Sequence, residues 1–200
     1  MFVRVNTVTG AKNMDAGVEI LRDKVLPEVS GQKGFRGLTA SGNRSTGDFG
    51  ILGLWETLED LKASESAVSK LRQETIKAVG GEISVAIMEQ VIGEVARAQN
   101  MVGCPLRIVR VKMDPAKVDE NVEFFRSEVL PEIKAAPGFL AVRNLVDRST
   151  GDAVVGTTWA DEDSLRSAEV AAEARRQRAT DRGVQISDPI YRTVLFSHLV

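Results

Sequence analysis

The chain holds one histidine, His198, and one cysteine, Cys104, far apart in sequence. Zinc, iron and copper sites draw on His and Cys clustered at short spacing, so none is predicted here, and a lone cysteine closes no intrachain disulfide. His198 is the one side chain that ordinarily titrates near neutrality. With only Leu199 and Val200 after it, it also has the reading of a frayed end. The pentapeptide Arg-Ser-Thr-Gly-Asp occurs twice, at 44–48 and 148–152. It lacks the Gly-x-x-x-x-Gly-Lys of a phosphate loop and reads as a turn. Arg175, Arg176, Arg178 and Arg182, interleaved with Glu173 and Asp181, read as the solvated side of a helix, and Glu28 and Glu132 as facing water.

These groups sit in a chain of 200 residues, 43% hydrophobic and 27% charged, the composition of an ordinary globular protein. Twenty-six basic residues face 28 acidic ones, 12 against 13 in the first hundred and 14 against 15 in the second, so neither half carries the excess positive charge of a nucleic-acid binder. Apolar runs such as Val85-Ala86-Ile87-Met88 are far too short to span a bilayer. The start MFVRVNTVTG lacks the layout of a secretory signal, and the cytoplasm is the expected compartment.

The chain repeats itself. Val25-Leu26-Pro27-Glu28 returns as Val129-Leu130-Pro131-Glu132, Gly34-Phe35 as Gly138-Phe139, Trp55 as Trp159 and Arg72-Gln73 as Arg176-Gln177, all at an offset of 104 without a gap. A period of that length is a duplicated domain, placed at 1–96 and 105–200 with a linker at 97–104. Each copy opens on a Val-rich strand, Phe2 to Val8 or Leu106 to Met113. A helix follows, with Val18, Leu21, Val25 and Val29 at helical spacing and Asp114-Pro115 as a cap. Pro27 and Pro131, late in these helices, are expected to kink or end them. Then come a hairpin, a second helix opening near Thr57 or Asp161, and a closing strand, Ile83 to Val95 or Ile186 to Leu199.

The order β-α-β-β-α-β predicts an α+β fold: two tandem ferredoxin-like domains, each an antiparallel sheet with both helices on one face. The bare faces are expected to cover each other, sheet against sheet, as an intrachain pseudo-dimer. Whether chains pair further is left open. The entries into the second strand (Lys33-Gly34-Phe35 and Pro137-Gly138-Phe139), the hairpins, and Leu54-Trp55-Glu56-Thr57-Leu58-Glu59-Asp60 running into the second helix resemble the antibiotic biosynthesis monooxygenase domain of the dimeric α+β barrel superfamily. The resemblance spans nearly the whole chain, twice.

That family includes oxygenases that use no cofactor, haem-degrading enzymes and quinol-directed enzymes. The haem-degrading branch resembles this chain at Asn6, but where that branch has a second tryptophan and a haem-ligating histidine this chain has Ser64 and Gln73, and the second copy has Arg110, Ala168 and Gln177 at the three places. Haem degradation is therefore disfavoured. The cofactor-free branch implies a dry pocket for a small apolar or aromatic ligand, with donors aimed at developing negative charge. Asn6 and Trp55 are then the catalytic candidates, and Arg110, Arg143, Asn144, Trp159, Tyr191 and His198 the ligand-binding ones. Structural roles stand beside these: the tryptophans as corner residues of the core, Asn6 as a strand residue bonded to backbone, and the whole chain as a non-catalytic binding or assembly module.

Overall fold

A computed structural model of the chain describes residues 1–96 and 101–200; residues 97–100 of the expected linker lie outside the described residues. The first copy runs β1 (Phe2–Thr9), α1 (Met14–Ile20), a π-helical turn (Leu21–Val25), α2 (Leu26–Ser30), β2 (Phe35–Asn43), β3 (Asp48–Trp55), α3 (Leu58–Ala63), α4 (Glu65–Val79) and β4 (Glu82–Val95). The second runs β5 (Pro105–Lys112), a 3-10 turn (Pro115–Lys117), α5 (Val118–Phe124), a π-helical turn (Phe125–Val129), α6 (Leu130–Ala135), β6 (Phe139–Asp147), β7 (Asp152–Trp159), α7 (Glu162–Asp181), β8 (Gln185–Ile186) and β9 (Ile190–Leu199). The fold is mixed α+β with antiparallel sheet. No helix among the described residues is long and apolar enough to cross a membrane.

Local chemistry accounts for most boundaries. Asn13, Asp114, Thr57 and Asp161 cap the helices that follow them, each side chain accepting from a backbone N–H two or three residues on, which satisfies a donor the first turn leaves orphaned. In the hairpins Asn43 and Asp147 accept from the Ser45 and Ser149 N–H groups at 3.0 and 2.9 Å, and the turns close through Gly47 and Gly151, both at φ +75°.

Of the two expected outcomes, a kink or an end, the prolines do not end their helices. A proline lacks the N–H that would reach back four residues, and the helix absorbs this by widening one turn beforehand. Leu26 N–H bonds the Leu21 carbonyl and Leu130 N–H the Phe125 carbonyl, both five residues back, and helix continues to Ser30 and Ala135. The expected closing strand of the second copy is interrupted between β8 and β9, with Pro189 in the gap. There the Ser187 hydroxyl takes the Arg110 N–H at 3.0 Å while Ser187 N–H bonds the Arg110 carbonyl at 2.9 Å, continuing the pairing.

The chain packs as two units, Met1–Met88 with Arg192–Val200, and Glu89–Tyr191. In the first, β3 lies between β1 and β2, with Asn6 opposite Ile51 and Ala40 opposite the same residue from the other side; β4 adjoins β1, and the end of β9 adjoins β2. In the second, β7 lies between β5 and β6, with Val109 and Asn144 flanking Val155, and the end of β4 runs beside β6. Within each unit helices pack against strands, α2 on β2 and α3 on β1 and β3 in the first, α6 on β6 and α7 on β5 and β7 in the second. Val8, Leu21, Val25, Leu38, Phe49, Leu61 and Val68 form the first core. Val129, Ile133, Val142, Leu165 and Ala168 form the second, with a smaller cluster around Val118, Val122 and Val146. Trp55 and Trp159 are 1% and 2% exposed and take Phe35 and Phe139 edge-on, with ring centroids 5.5 and 6.0 Å apart.

Candidate functional site

Strand side chains alternate faces, so Arg4, Asn6 and Val8 point together toward the helices. With Gly53 and Trp55 of β3 and Leu21 and Val25 of the helix they line a cavity of about 60 Å3 in the first unit. Asn6 is buried; its amide N–H donates to the Ile51 carbonyl at 3.3 Å, and its Oδ1 has no partner. The Trp55 indole N–H is likewise buried and unpartnered. Orphaned buried polar atoms are rare in folded proteins, and this cavity holds one acceptor and one donor. Arg4, 5% exposed, donates to Ser64 Oγ at 2.9 Å and the Leu61 carbonyl at 2.8 Å, with Glu65 at 3.0 Å. Burial pulls its guanidinium below the usual range, and Glu65 opposes that.

The second unit has a cavity of about 120 Å3 in the same helix-to-sheet space. The expected counterpart of Asn6 there is Arg110, but the strand register corrects this: Asn6 faces Ile51 and Val109 faces Val155, so Val109 takes that place, and Arg4 corresponds to Arg107. The first strands are offset by one residue relative to the rest of the repeat. A carboxamide is nevertheless present. Asn144, on β6, flanks Val155 from the opposite side, where the first copy has Ala40. Its Oδ1 is buried without a partner, as is that of Asn121, whose amide N–H donates to the Lys117 carbonyl at 3.0 Å. The Trp159 indole is satisfied, donating to Thr157 Oγ1 at 3.1 Å. Thr157 stands where the first copy has Gly53, and that one difference orphans Trp55.

Of the predicted residues, Asn6 and Trp55 thus share one cavity and Asn144 and Trp159 the other. Arg110 is exposed on β5 and lines neither. Arg143, next to Asn144, projects from the opposite face of β6; it bonds Gln90, and burial pulls its guanidinium down to about 10. The Tyr191 hydroxyl donates to Glu169, an oxygen that also accepts from Arg107 at 3.3 Å, and burial raises the phenol, with Glu169 adding to the rise. His198 stacks on Phe35 with centroids 6.5 Å apart.

Sequence reasoning missed Arg4, Arg107 and Asn121. Arg4 had a usable signal, two positions from Asn6 on a strand of period two. Arg175 and Arg176 correct another expectation: their side chains are 11% and 24% exposed and line the second cavity, while Arg178 and Arg182 pair outside with Glu132 and Glu120, both at 2.6 Å.

No family model matches the chain. The uncharacterized protein Rv2557 of Mycobacterium tuberculosis is 30% identical over 167 residues, which cover 82% of this chain and 74% of that protein. Among solved structures, a putative monooxygenase of Fusobacterium nucleatum superposes with a TM-score of 0.73 at 15% identity, covering 99% of this chain and 94% of that one. An anthrone oxidase-like protein gives 0.69 at 13% identity, covering 99% and 92%. A ferredoxin-fold protein of Listeria monocytogenes related to antibiotic biosynthesis monooxygenases gives 0.53 at 11%, covering 98% and 96%. At these identities the structural likenesses show the fold alone.

Proposed function

We propose, for a chain that belongs to the family of the Mycobacterium tuberculosis protein Rv2557 and has the fold of antibiotic biosynthesis monooxygenase-like proteins, a cytoplasmic, cofactor-independent monooxygenase acting on a phenolic or quinol-like substrate in the cavity of the first unit. The duplicated chain, in domains at 1–96 and 105–200, carries in one polypeptide what two single-domain chains would supply. The observation that carries the reading is the pair of orphaned atoms, Asn6 Oδ1 and Trp55 Nε1, buried in one mostly apolar cavity. The Asn6 oxygen accepts the hydroxyl hydrogen of the incoming phenol. As the substrate gives up its proton to water and becomes an anion, the Trp55 N–H donates to the oxygen that holds the charge, and the positive charge of Arg4 nearby favours that anion. Dioxygen then reacts with the electron-rich ring. One oxygen atom becomes a quinone carbonyl and the other leaves as water, the substrate itself supplying all four electrons. Ser64 and Gln73, at the places of the haem-degraders' tryptophan and histidine, weigh against a haem substrate.

The test is oxygen uptake and quinone absorbance with a panel of phenols and quinols. Asn6→Leu, which keeps the volume and deletes the acceptor, is expected to cut turnover about a hundredfold, the usual worth of one preorganised hydrogen-bonding group. Turnover unchanged in that variant, or no uptake with any substrate, refutes the oxygenase. A second reading, a binding module without catalysis, is favoured by one observation: among the described residues, no carboxylate, histidine, tyrosine, cysteine or lysine lines either cavity to act as a base. Saturable ligand binding without oxygen uptake would establish it.

A further inference from the structure

The two cavities present different chemistry. The first offers one donor and one acceptor. In the second the tryptophan donor is already used by Thr157, and two carboxamide oxygens, of Asn144 and Asn121, remain as buried acceptors on residues 6% and 8% exposed. Among the described residues, three arginines, Arg107, Arg175 and Arg176, line this second cavity and no acidic residue does. Each arginine's carboxylate partner is shared or at the far limit of an ion pair, and Arg175 and Arg176 also donate to the Ala168 and Ile186 carbonyls. Arg175 reaches Glu132 only at 3.8 Å, and that carboxylate is held by Arg178 at 2.6 Å. Arg107 shares Glu169 with Tyr191, and Arg176 lies 3.7 Å from Glu173. Burial lowers the Arg175 guanidinium, Glu132 partly offsets that, and the charges of Arg107 and Arg178 lower it again, so an anion bound beside it would be stabilising. Trp159, Phe124 and Phe125 contribute aromatic walls, and the volume of about 120 Å3 is twice that of the first cavity, about 60 Å3.

We infer that the cavity of the second unit is a binding site for a small hydroxylated aromatic carboxylate: the ring lies against Trp159, the hydroxyl donates to Asn144 Oδ1, and the carboxylate pairs with Arg175. Arg107, beside Thr157 on β5, and Asn144, beside Val155 on β6, reach the cavity from opposite flanks of β7, and Arg175 reaches it from α7. A planar carboxylate also matches the fork of a guanidinium. The site is independent of the oxygenase reading, because Asn6 and Trp55 line the other cavity.

Each cavity holds one of the chain's 2 tryptophans, so the sites can be read separately. In the full chain carrying Trp55→Phe, Trp159 fluorescence is followed during titration with 4-hydroxybenzoate, benzoate and 4-hydroxybenzamide. Saturable quenching by 4-hydroxybenzoate is expected, with the other two weaker by about tenfold or more, the worth of one charge-assisted hydrogen bond. Arg175→Gln should erase the preference for acid over amide, and Asn144→Leu the preference for the hydroxylated acid over benzoate. If Asn144→Leu does not fold by circular dichroism, Arg175→Gln decides. Absence of saturable quenching at millimolar ligand in folded protein, equal binding of all three compounds, or an undiminished acid preference in Arg175→Gln overturns the site. So does a response confined to Trp55 in the reciprocal Trp159→Phe chain. Oxygen uptake plays no part in this readout, so failure here leaves the first cavity's reading standing.

Discussion

Gly53→Thr transplants into the first copy the residue that satisfies the tryptophan in the second. A Cβ built at Gly53 meets nothing within 4 Å except Trp55 Nε1, at 3.5 Å, and the strand backbone there is compatible with a side chain. Thr157 in the same place accepts from Trp159 Nε1 at 3.1 Å. The new hydroxyl should therefore relieve the orphaned donor, worth about 1 kcal/mol as a net hydrogen bond. Exchanging glycine for a β-branched residue in a strand adds about 1 kcal/mol more. The sum, about 2 kcal/mol, corresponds to a rise in Tm of roughly 4–8 °C for a chain of this size. Function should move the other way, because the N–H that faces the substrate is now occupied: oxygen uptake is expected to fall about a hundredfold. Calorimetry and an oxygen electrode read the two effects. Gly53→Ala is the control, gaining the strand contribution without an acceptor. If Thr and Ala raise Tm equally, the hydroxyl does not reach the indole. If Gly53→Thr keeps full uptake in a protein stabilised as expected, Trp55 is not the donor and the proposed role fails.

Other outcomes follow from particular contacts. Gly34→Ala and Gly138→Ala place a Cβ 2.4 Å from Asp60 Oδ2 and 2.2 Å from Ser164 Oγ, at φ +74° and +75°, and each should cost about 1–3 kcal/mol in urea titrations. Leu61→Ala removes a side chain that is 0% exposed in the first core and should cost about 2–5 kcal/mol by the same measurement. The Asp161 carboxyl is held below its ordinary range by the backbone N–H of Ser164, so its cap stabilises the ionised form. That stability is present above the ordinary carboxylate pKa and is lost as pH falls through the lower folded value. Asp161→Asn should keep the cap and flatten this part of the acid-unfolding curve, whereas Asp161→Ala should lower Tm at neutral pH.

The repeat, the order of elements and the caps were legible in the sequence because they depend on neighbours along the chain. Thr57 and Asp161 cap their helices through N–H groups three residues on, and the period of 104 lets each copy be checked against the other. The helices do not end at the prolines because the chain has a second way to lose a donor: one widened turn, five residues back instead of four.

The site was legible only in part. Asn6 and Trp55 were found by resemblance, and one cavity does bring them together. The match of Asn6 with Arg110 went wrong because one residue of offset in a strand turns a side chain to the other face, and only the pairing partner, Ile51 or Val155, reveals which way it points. Arg175 and Arg176 look solvated as a charge run, yet the sheet they pack over makes them walls of a cavity. Composition and periodicity, acting over a few residues, determined what each segment of this protein is. The contrast between Gly53 and Thr157, each two residues before its tryptophan on one strand, is local, but whether a buried carboxamide oxygen finds a partner depends on strands brought alongside from far away in the chain, so the tertiary structure alone decided that Asn6 and Asn144 line cavities with their oxygens open to a ligand.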